Sequence, residues 1–156
     1  MTQGKIPSTL IKNIKSREPV RIRERTPLLA VVMTMKKARR GAAVIEDNAG
    51  KLIGIITERD LISRINHGTL EWHSIPVNEI MARDPKTIKI TQYLHEALGI
   101  MLASKFRHLP VVDSDNHVIS IMSVRDIITY VASLYPQEFL NLPPDPNSEA
   151  SGRYGG

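Results

Sequence analysis

The chain contains no cysteine, which removes structural disulfides, thiolate zinc sites and thiol catalysis together. Aromatic side chains are scarce: one Trp, two Phe and four Tyr leave few platforms on which nucleic-acid bases could stack. No stretch approaches the roughly 18 apolar residues that a membrane span needs. The opening residues, Met1 to Lys5, have no apolar signal core, so a cytoplasmic protein with no membrane partner is the default expectation. What remains, 42% hydrophobic and 24% charged residues in a length of 156, is the composition and size of an ordinary globular domain.

Lys and Arg exceed Asp and Glu by 21 to 16, a net charge of +5. Clusters such as Arg17, Arg21, Arg23 and Arg25, then Lys36, Lys37, Arg39 and Arg40, would favour a polynucleotide by releasing phosphate counterions. The second half of the chain lacks both clusters. Solvated faces or ligands for small anions are therefore the better reading, and nucleic acid is disfavoured as a partner.

The dominant positive signal is an internal repeat. Displaced by 66 residues, Ile11–Ile65 lies on Val77–Val131 without a gap, with identities that include Ile14/Ile80, Arg17/Arg83, Pro19/Pro85, Met35/Met101, Asp47/Asp113, Arg59/Arg125 and Asp60/Asp126. A long period occurring twice is a duplicated unit, and it predicts two similar, pseudo-symmetric sites. The chain divides into a first repeat at 8–66, a linker at 67–76, a second repeat at 77–135 and a Pro/Gly-rich tail at 136–156 expected to be largely disordered. In the linker, His67 and His73 flank Trp72 without the further ligands a metal site needs, so no metal is expected.

Each repeat reads as βαββα. The stretches after Pro19 and Pro85 alternate as half-buried strands do. Thr26 as N-cap with Pro27 in the first turn predicts a helix whose inner face is Leu28, Val31, Val32 and Met35; Thr91 is the matching cap before Leu94, Ala97, Leu98 and Met101. Two strands follow, joined by turns rich in Asp, Asn and Gly at Asp47–Gly50 and Asp113–Asn116. A second helix then starts at Thr57 or Ser123. Its apolar residues, Leu61, Ile62 and Ile65 or Ile127, Ile128 and Val131, belong to the core or to a dimer interface.

The chemistry concentrates where that second helix begins, at Thr57-Glu-Arg-Asp60 and Ser123-Val-Arg-Asp126. Backbone N–H groups at a helix start favour an anion such as phosphate. A carboxylate one turn along accepts hydroxyl donors and suits a ribose diol. Phosphate and diol together describe a nucleotide. The same spacing is also an ordinary capping box, and the residues alone leave both readings open.

The two T/S-x-R-D helix starts, Ile14 and Ile80-Met81 before Pro19 and Pro85, and the Arg107-His-Leu-Pro-Val-Val-Asp113 strand entry resemble a tandem pair of CBS domains, a Bateman module, of the stand-alone bacterial type. The resemblance covers about residues 8–135. It implies an α+β fold of two βαββα repeats packed as a pseudo-twofold pair, a homodimer, and regulation of an unidentified protein without enzymatic activity of its own. The implied ligand is an adenine nucleotide, AMP, ADP, ATP or NAD(H), in two crossed clefts, with no catalytic cofactor. Carried over, cleft one comprises Thr57, Arg59, Asp60, Thr87, Ile88, Lys105, Arg107, His108 and Pro110. Cleft two comprises Arg21, Ile22, Arg39, Gly41, Ala42, Val44, Ser123, Arg125 and Asp126. Arg59, Arg125, Arg107 and His108 are the implied phosphate ligands. Two departures from the family pattern stand out: Ser120 replaces the glycine expected where the nucleotide passes close to the backbone, and Ala43-Val44 stands where Leu109-Pro110 is typical. The competing functions are a basic nucleic-acid-binding protein and a structural dimeric scaffold with empty clefts.

Overall fold

The computed structural model describes residues 8–65, 68 and 71–136; His67 and nearly all of the predicted tail lie outside them. The first repeat supplies β1 (Arg21–Arg23), α1 (Leu28–Ala38), β2 (Ala42–Glu46), β3 (Leu52–Thr57) and α2 (Glu58–Ser63). After a short strand β4 (Ala82–Arg83), the second repeats the order as β5 (Ile88–Lys89), α3 (Leu94–Ser104), β6 (His108–Val112), β7 (Val118–Ser123) and α4 (Val124–Leu134). One sheet runs β1-β2-β3-β4 and the other β5-β6-β7. In each, the first strand pairs in parallel with the second, as a helical crossover requires, and the second pairs antiparallel with the third through the Asp-rich turn. Asp47 and Asp113 close those turns alike: Oδ1 of each accepts backbone N–H groups two and four residues ahead, all at 2.9 Å.

The linear repeats are not the packing units. The segment that opens each repeat folds onto the other one. Ile11 and Ile14 are buried with Ile88, Leu94, Met101, Leu109 and Met122 of the second repeat, whereas Val77 and Met81 are buried with Ile22, Leu28, Val31, Ile45 and Ile56 of the first. The exchange is pseudo-symmetric to the hydrogen bond. Ile11 N–H donates to Gln92 O and Val77 N–H to Thr26 O, both at 2.9 Å, and Leu94 N–H donates to Thr9 O as Leu28 N–H does to Ile75 O. At sheet edges, β4 pairs with β3, and Arg17 bridges Ile121 on β7 in the equivalent place.

The middle strands are buried on both faces. All of β2 is buried; Ala43 and Ile45 face α1, while Ala42 and Val44 join Ile55, Val112, Val118 and Ile121 in a core between the two sheets. An exposed Arg21 reinforces this junction by reaching both the buried Glu46 and the carbonyl of Val118 across the repeats.

Helix starts differ from the sequence expectation in the first helices and match it in the second. Pro27, extended at φ −60° and ψ 143°, is the N-cap of α1, because Thr26 commits its carbonyl to Val77. In α3 the cap is Tyr93, two residues beyond Thr91, with its N–H held by the Glu96 carboxylate at 2.8 Å. That bond is the main cause holding the Glu96 pKa below the usual carboxylate range, and the Gln92 side chain adds to it. Both α1 and α3 end on left-handed residues at matching positions, Arg39 at φ 52° and Lys105 at φ 55°.

Gly54 and Ser120 occupy paired positions, and their neighbours explain the difference. A Cβ built on Gly54 would lie 2.3 Å from Met81 Sδ, 2.9 Å from its Cγ and 3.1 Å from the carbonyl of Ala82. The residue paired with Met81 is the exposed Lys15, so space remains for the Ser120 side chain, which accepts a 2.7 Å hydrogen bond from Ser16. Ser120 lines a small cavity of about 240 Å³ with Ile11, Ile14 and Ile90, apart from the main cleft. Gly54→Ala is therefore expected to destabilise the protein by about 1–3 kcal/mol through overpacking. Urea unfolding that returns the parent midpoint would contradict this packing account.

Candidate functional site

Strands β3 and β7 carry the two hydroxyl residues to helix starts that open on one continuous cleft of about 1130 Å³. At each start the capping box forms. Asp60 Oδ2 accepts Thr57 N–H at 2.9 Å and its hydroxyl at 2.7 Å, and Asp126 Oδ2 accepts the Ser123 N–H and hydroxyl at 2.7 Å each. The return bonds, from Asp60 N–H to Thr57 Oγ1 and from Asp126 N–H to Ser123 Oγ, span 3.4 and 3.2 Å. The cap reading of these residues is thus realised, and each cap uses one carboxylate oxygen.

The second oxygen distinguishes the two halves. Asp60 Oδ1 is held by Arg64 Nε at 3.1 Å, and that arginine also donates to the carbonyls of Ile80 and Met81. Position 130, which pairs with Arg64, is tyrosine, and among the described residues Asp126 forms no ion pair. The helices differ too: α2 has six residues and α4 eleven, so only α4 sums a substantial dipole behind its N-terminus.

Cations dominate the lining: Arg17, Lys36, Arg39, Arg40, Arg59, Arg64, Arg83, Lys86, Lys105, Arg107 and Arg125 stand against Glu18, Glu58, Asp60, Asp84 and Asp126. Arg40 Nε is buried without a hydrogen-bond acceptor. Such an orphaned donor costs about 1–3 kcal/mol unless something accepts from it. His108 is also in the lining, and burial holds its pKa below the usual histidine range; Glu58 opposes that shift, Arg107 adds to it and Asp126 opposes it.

Most of the residues expected from the sequence meet in this cleft. Thr57, Arg59, Asp60, Lys105, Arg107, His108 and Pro110 of the first set line it, together with Arg39, Gly41, Ala42, Ser123, Arg125 and Asp126 of the second. Five do not. Ile22, Ile88 and Val44 point into cores, Arg21 is committed to Glu46 and Val118, and Thr87 lies outside the lining. The two expected clefts also run together as one cavity. The residues added by the structure are chiefly Arg17, Glu18 and Val20, with Ala82, Arg83, Asp84, Pro85 and Lys86. The identical pairs Arg17/Arg83 and Pro19/Pro85 were the signal that these crossing segments share a role.

Outside the cleft, Asp113, Asp115 and His117 bring potential ligand atoms within 4.8 Å of one another on an exposed hairpin. Their arrangement follows from the turn. Asp113 accepts the backbone N–H groups of His117 and Asp115, which lower its pKa, and Asp47 makes the same bonds in the first repeat where Ala49 and Lys51 offer no such ligands.

Comparison with known proteins accounts for both repeats. A 17.7 kDa protein from the bps2 3′ region of Acidianus ambivalens is 26% identical over 132 residues, 85% of this chain and 79% of that one. Against longer relatives, CBS domain-containing proteins of Arabidopsis thaliana, the chain spans 18% of their length. Among solved structures, the CBS domain pair of protein MJ0100, in complex with 5-methylthioadenosine and S-adenosyl-L-methionine, has a TM-score of 0.70 at 25% identity and covers 81% of this chain and 98% of that one. The CBS domain protein PAE2072 from Pyrobaculum aerophilum, complexed with AMP, shares the fold at a TM-score of 0.69 and 23% identity, covering 80% and 98%. The family model for the CBS domain matches residues 11–67 and again 77–133. The fold, the duplication and these matches agree: the chain belongs to the CBS domain family, as a tandem pair.

Proposed function

We propose that this CBS pair is a cytoplasmic regulatory module that binds an adenosine nucleotide in its cleft and transmits the occupancy to a partner protein without catalysing a reaction. One observation carries the reading: two hydroxyl–carboxylate helix starts, Thr57/Asp60 and Ser123/Asp126, open on a single cation-rich cleft. Arg59, Arg107 and Arg125 supply charge-assisted donors for phosphate. The buried Arg40 Nε offers a further donor that lacks an acceptor. A free carboxylate oxygen accepts the ribose hydroxyls. The AMP bound by PAE2072 carries both the phosphate and the ribose diol this donor and acceptor set would take, and the two adenosine compounds bound by the MJ0100 pair share the ribose diol.

The half at Asp126 binds first in this reading, because among the described residues Asp126 forms no ion pair while Asp60 shares its Oδ1 with Arg64. Titration calorimetry with AMP, ADP, ATP and NAD(H) tests the proposal, and no heat from any of them at millimolar concentration would sink it. Asp126→Ala should weaken nucleotide binding by about ten- to several-hundred-fold, since charge-assisted bonds of about 1.5–3 kcal/mol each are lost non-additively. Asp60→Ala should weaken it less and lower the melting temperature, because it removes a cap worth about 1 kcal/mol together with the Arg64 pair. Parent-like affinity in both variants would leave capping as the whole role of the two carboxylates.

Transmission needs a surface, and the second helices provide one. Ile62 on α2 is 77% exposed and its repeat partner Ile128 on α4 is 55% exposed, whereas Ile65 and Ile127 are buried. An apolar patch that is itself pseudo-twofold suits a C2 contact with a second copy. Sedimentation velocity should find a dimer at about tens of micromolar protein, converted to folded monomer by the double change Ile62→Asp and Ile128→Asp. A monomeric parent, with and without nucleotide, would refute the dimer.

A further inference from the structure

We infer that Glu58 and His108 form a charge selector at the junction of the two halves of the cleft, setting how many phosphates the bound nucleotide carries; this deepens the nucleotide reading and rests on it.

The inference starts from a local failure of the duplication. Glu58 N–H donates to Gly41 O at 3.0 Å and Val124 N–H donates to Arg107 O at 3.1 Å, so the backbone makes the same bond in both repeats. The side chains around that bond have nothing in common. Gly41, Ala42 and Glu58 in one repeat stand opposite Arg107, His108 and Val124 in the other. Conserved backbone geometry with unrelated side chains means that the fold does not dictate these residues.

The absence of a side chain at Gly41 lets the two repeats meet there. A Cβ at that position would lie 3.4 Å from Glu58 Cδ and Oε2 and 3.5 Å from His108 Cε1. A carboxylate from the first repeat and an imidazole from the second therefore flank the same bare backbone, and both line the cleft. Among the described residues no ion pair neutralises Glu58. The charged groups acting on His108 are Glu58 from α2, Asp126 from α4 and Arg107, which immediately precedes β6, while burial keeps the ring neutral near pH 7.

Near neutrality the Glu58 carboxylate thus stands beside a neutral imidazole inside a cationic cleft. Its repulsion scales with the ligand's charge, so a triphosphate is penalised more than a monophosphate. Protonation of His108 on acidification cancels the carboxylate and removes the penalty. The selector favours AMP-like ligands above the imidazole titration and admits ATP-like ones below it.

Calorimetry with AMP, ATP, orthophosphate and inorganic tripolyphosphate on the whole chain and on Glu58→Gln tests this. Comparing parent and variant at one pH cancels the ligands' own ionisation. At pH 7.5 the change should raise ATP affinity relative to AMP, and tripolyphosphate relative to orthophosphate, by about three- to tenfold. His108→Gln should abolish the rise in relative ATP affinity expected of the parent as the pH falls through the His108 titration. NMR titration of the His108 ring without ligand provides an independent reading: Glu58→Gln should lower its pKa. Binding with an unchanged ATP-to-AMP preference, or a His108 titration indifferent to Glu58, overturns the selector alone. A parent that binds none of the four anions overturns the nucleotide reading and the selector with it.

Discussion

Neither repeat can complete its core from its own linear sequence, and the rest of the structure depends on that constraint. Ile11 and Ile14 belong by sequence to the first repeat but are buried in the second, and Val77 and Met81 make the reverse exchange. Each fully buried aliphatic side chain of this kind stabilises by about 1.5–3 kcal/mol. Separating the repeats would expose all four, together with the Ala42, Val44, Ile55, Val112, Val118 and Ile121 cluster between the sheets. The pseudo-twofold arrangement is therefore enforced by covalent connection, since each opening segment must cross to the opposite core before its own strand can begin.

That crossing also builds the cleft. The segments that leave one core for the other, 17–20 and 82–86, pass along its wall and contribute Arg17, Arg83 and Lys86. Strands β3 and β7 end on the same cavity because their edge partners are those crossing segments: Ala82 and Arg83 for β3, Arg17 for β7. Cations and helix starts converge there as a consequence of how the cores are completed. A cation-lined cavity needs no loop of its own when the chain must traverse it twice.

Local features were legible in the sequence because they are set by near neighbours. The capping boxes at Thr57 and Ser123, the Asp47 and Asp113 turns and the inward faces of α1 and α3 all depend on residues within one or two turns. Non-local features were not legible. Nothing near Ile11 signals that its N–H will pair with Gln92, 81 residues away. Thr26 is a sound cap candidate by itself, yet the crossing segment takes its carbonyl and moves the helix start to Leu28. The resemblance places the backbone beside Ile22 and Ile88 in the cleft; the inward-facing position of each short strand buries their side chains at 6% and 0% exposure. Ser120 invites comparison with the glycine at position 54, but the meaning of either residue depends on what stands across from it. Met81 excludes a side chain at 54, and the exposed Lys15 leaves room for one at 120.

Where the two repeats still agree and where they have parted follows the same logic. Pairs that hold the fold are kept or swapped for similar shapes: Leu28/Leu94, Met35/Met101, Ile22/Ile88 and the capping carboxylates. Around the cleft some pairs keep their charge, as Arg17/Arg83, Arg59/Arg125 and Asp60/Asp126 do, while others have diverged: Arg40/Phe106, Gly41/Arg107, Ala42/His108, Glu58/Val124 and, with Tyr130 outside the lining, Arg64/Tyr130. A binding surface with exact twofold symmetry would offer a single nucleotide two equal orientations and gain no selectivity between them. Unequal side chains on an unchanged backbone remove that degeneracy; most of these residues are partly or fully exposed, while Ala42 is buried between the sheets and Val124 packs against the second core. Tyr130 likewise packs against the second core and so withdraws from Asp126 the partner that Arg64 gives Asp60. One difference thereby packs a ring against a core and leaves Asp126 without an ion pair among the described residues, so packing and electrostatics in this half of the cleft are set by the same residue.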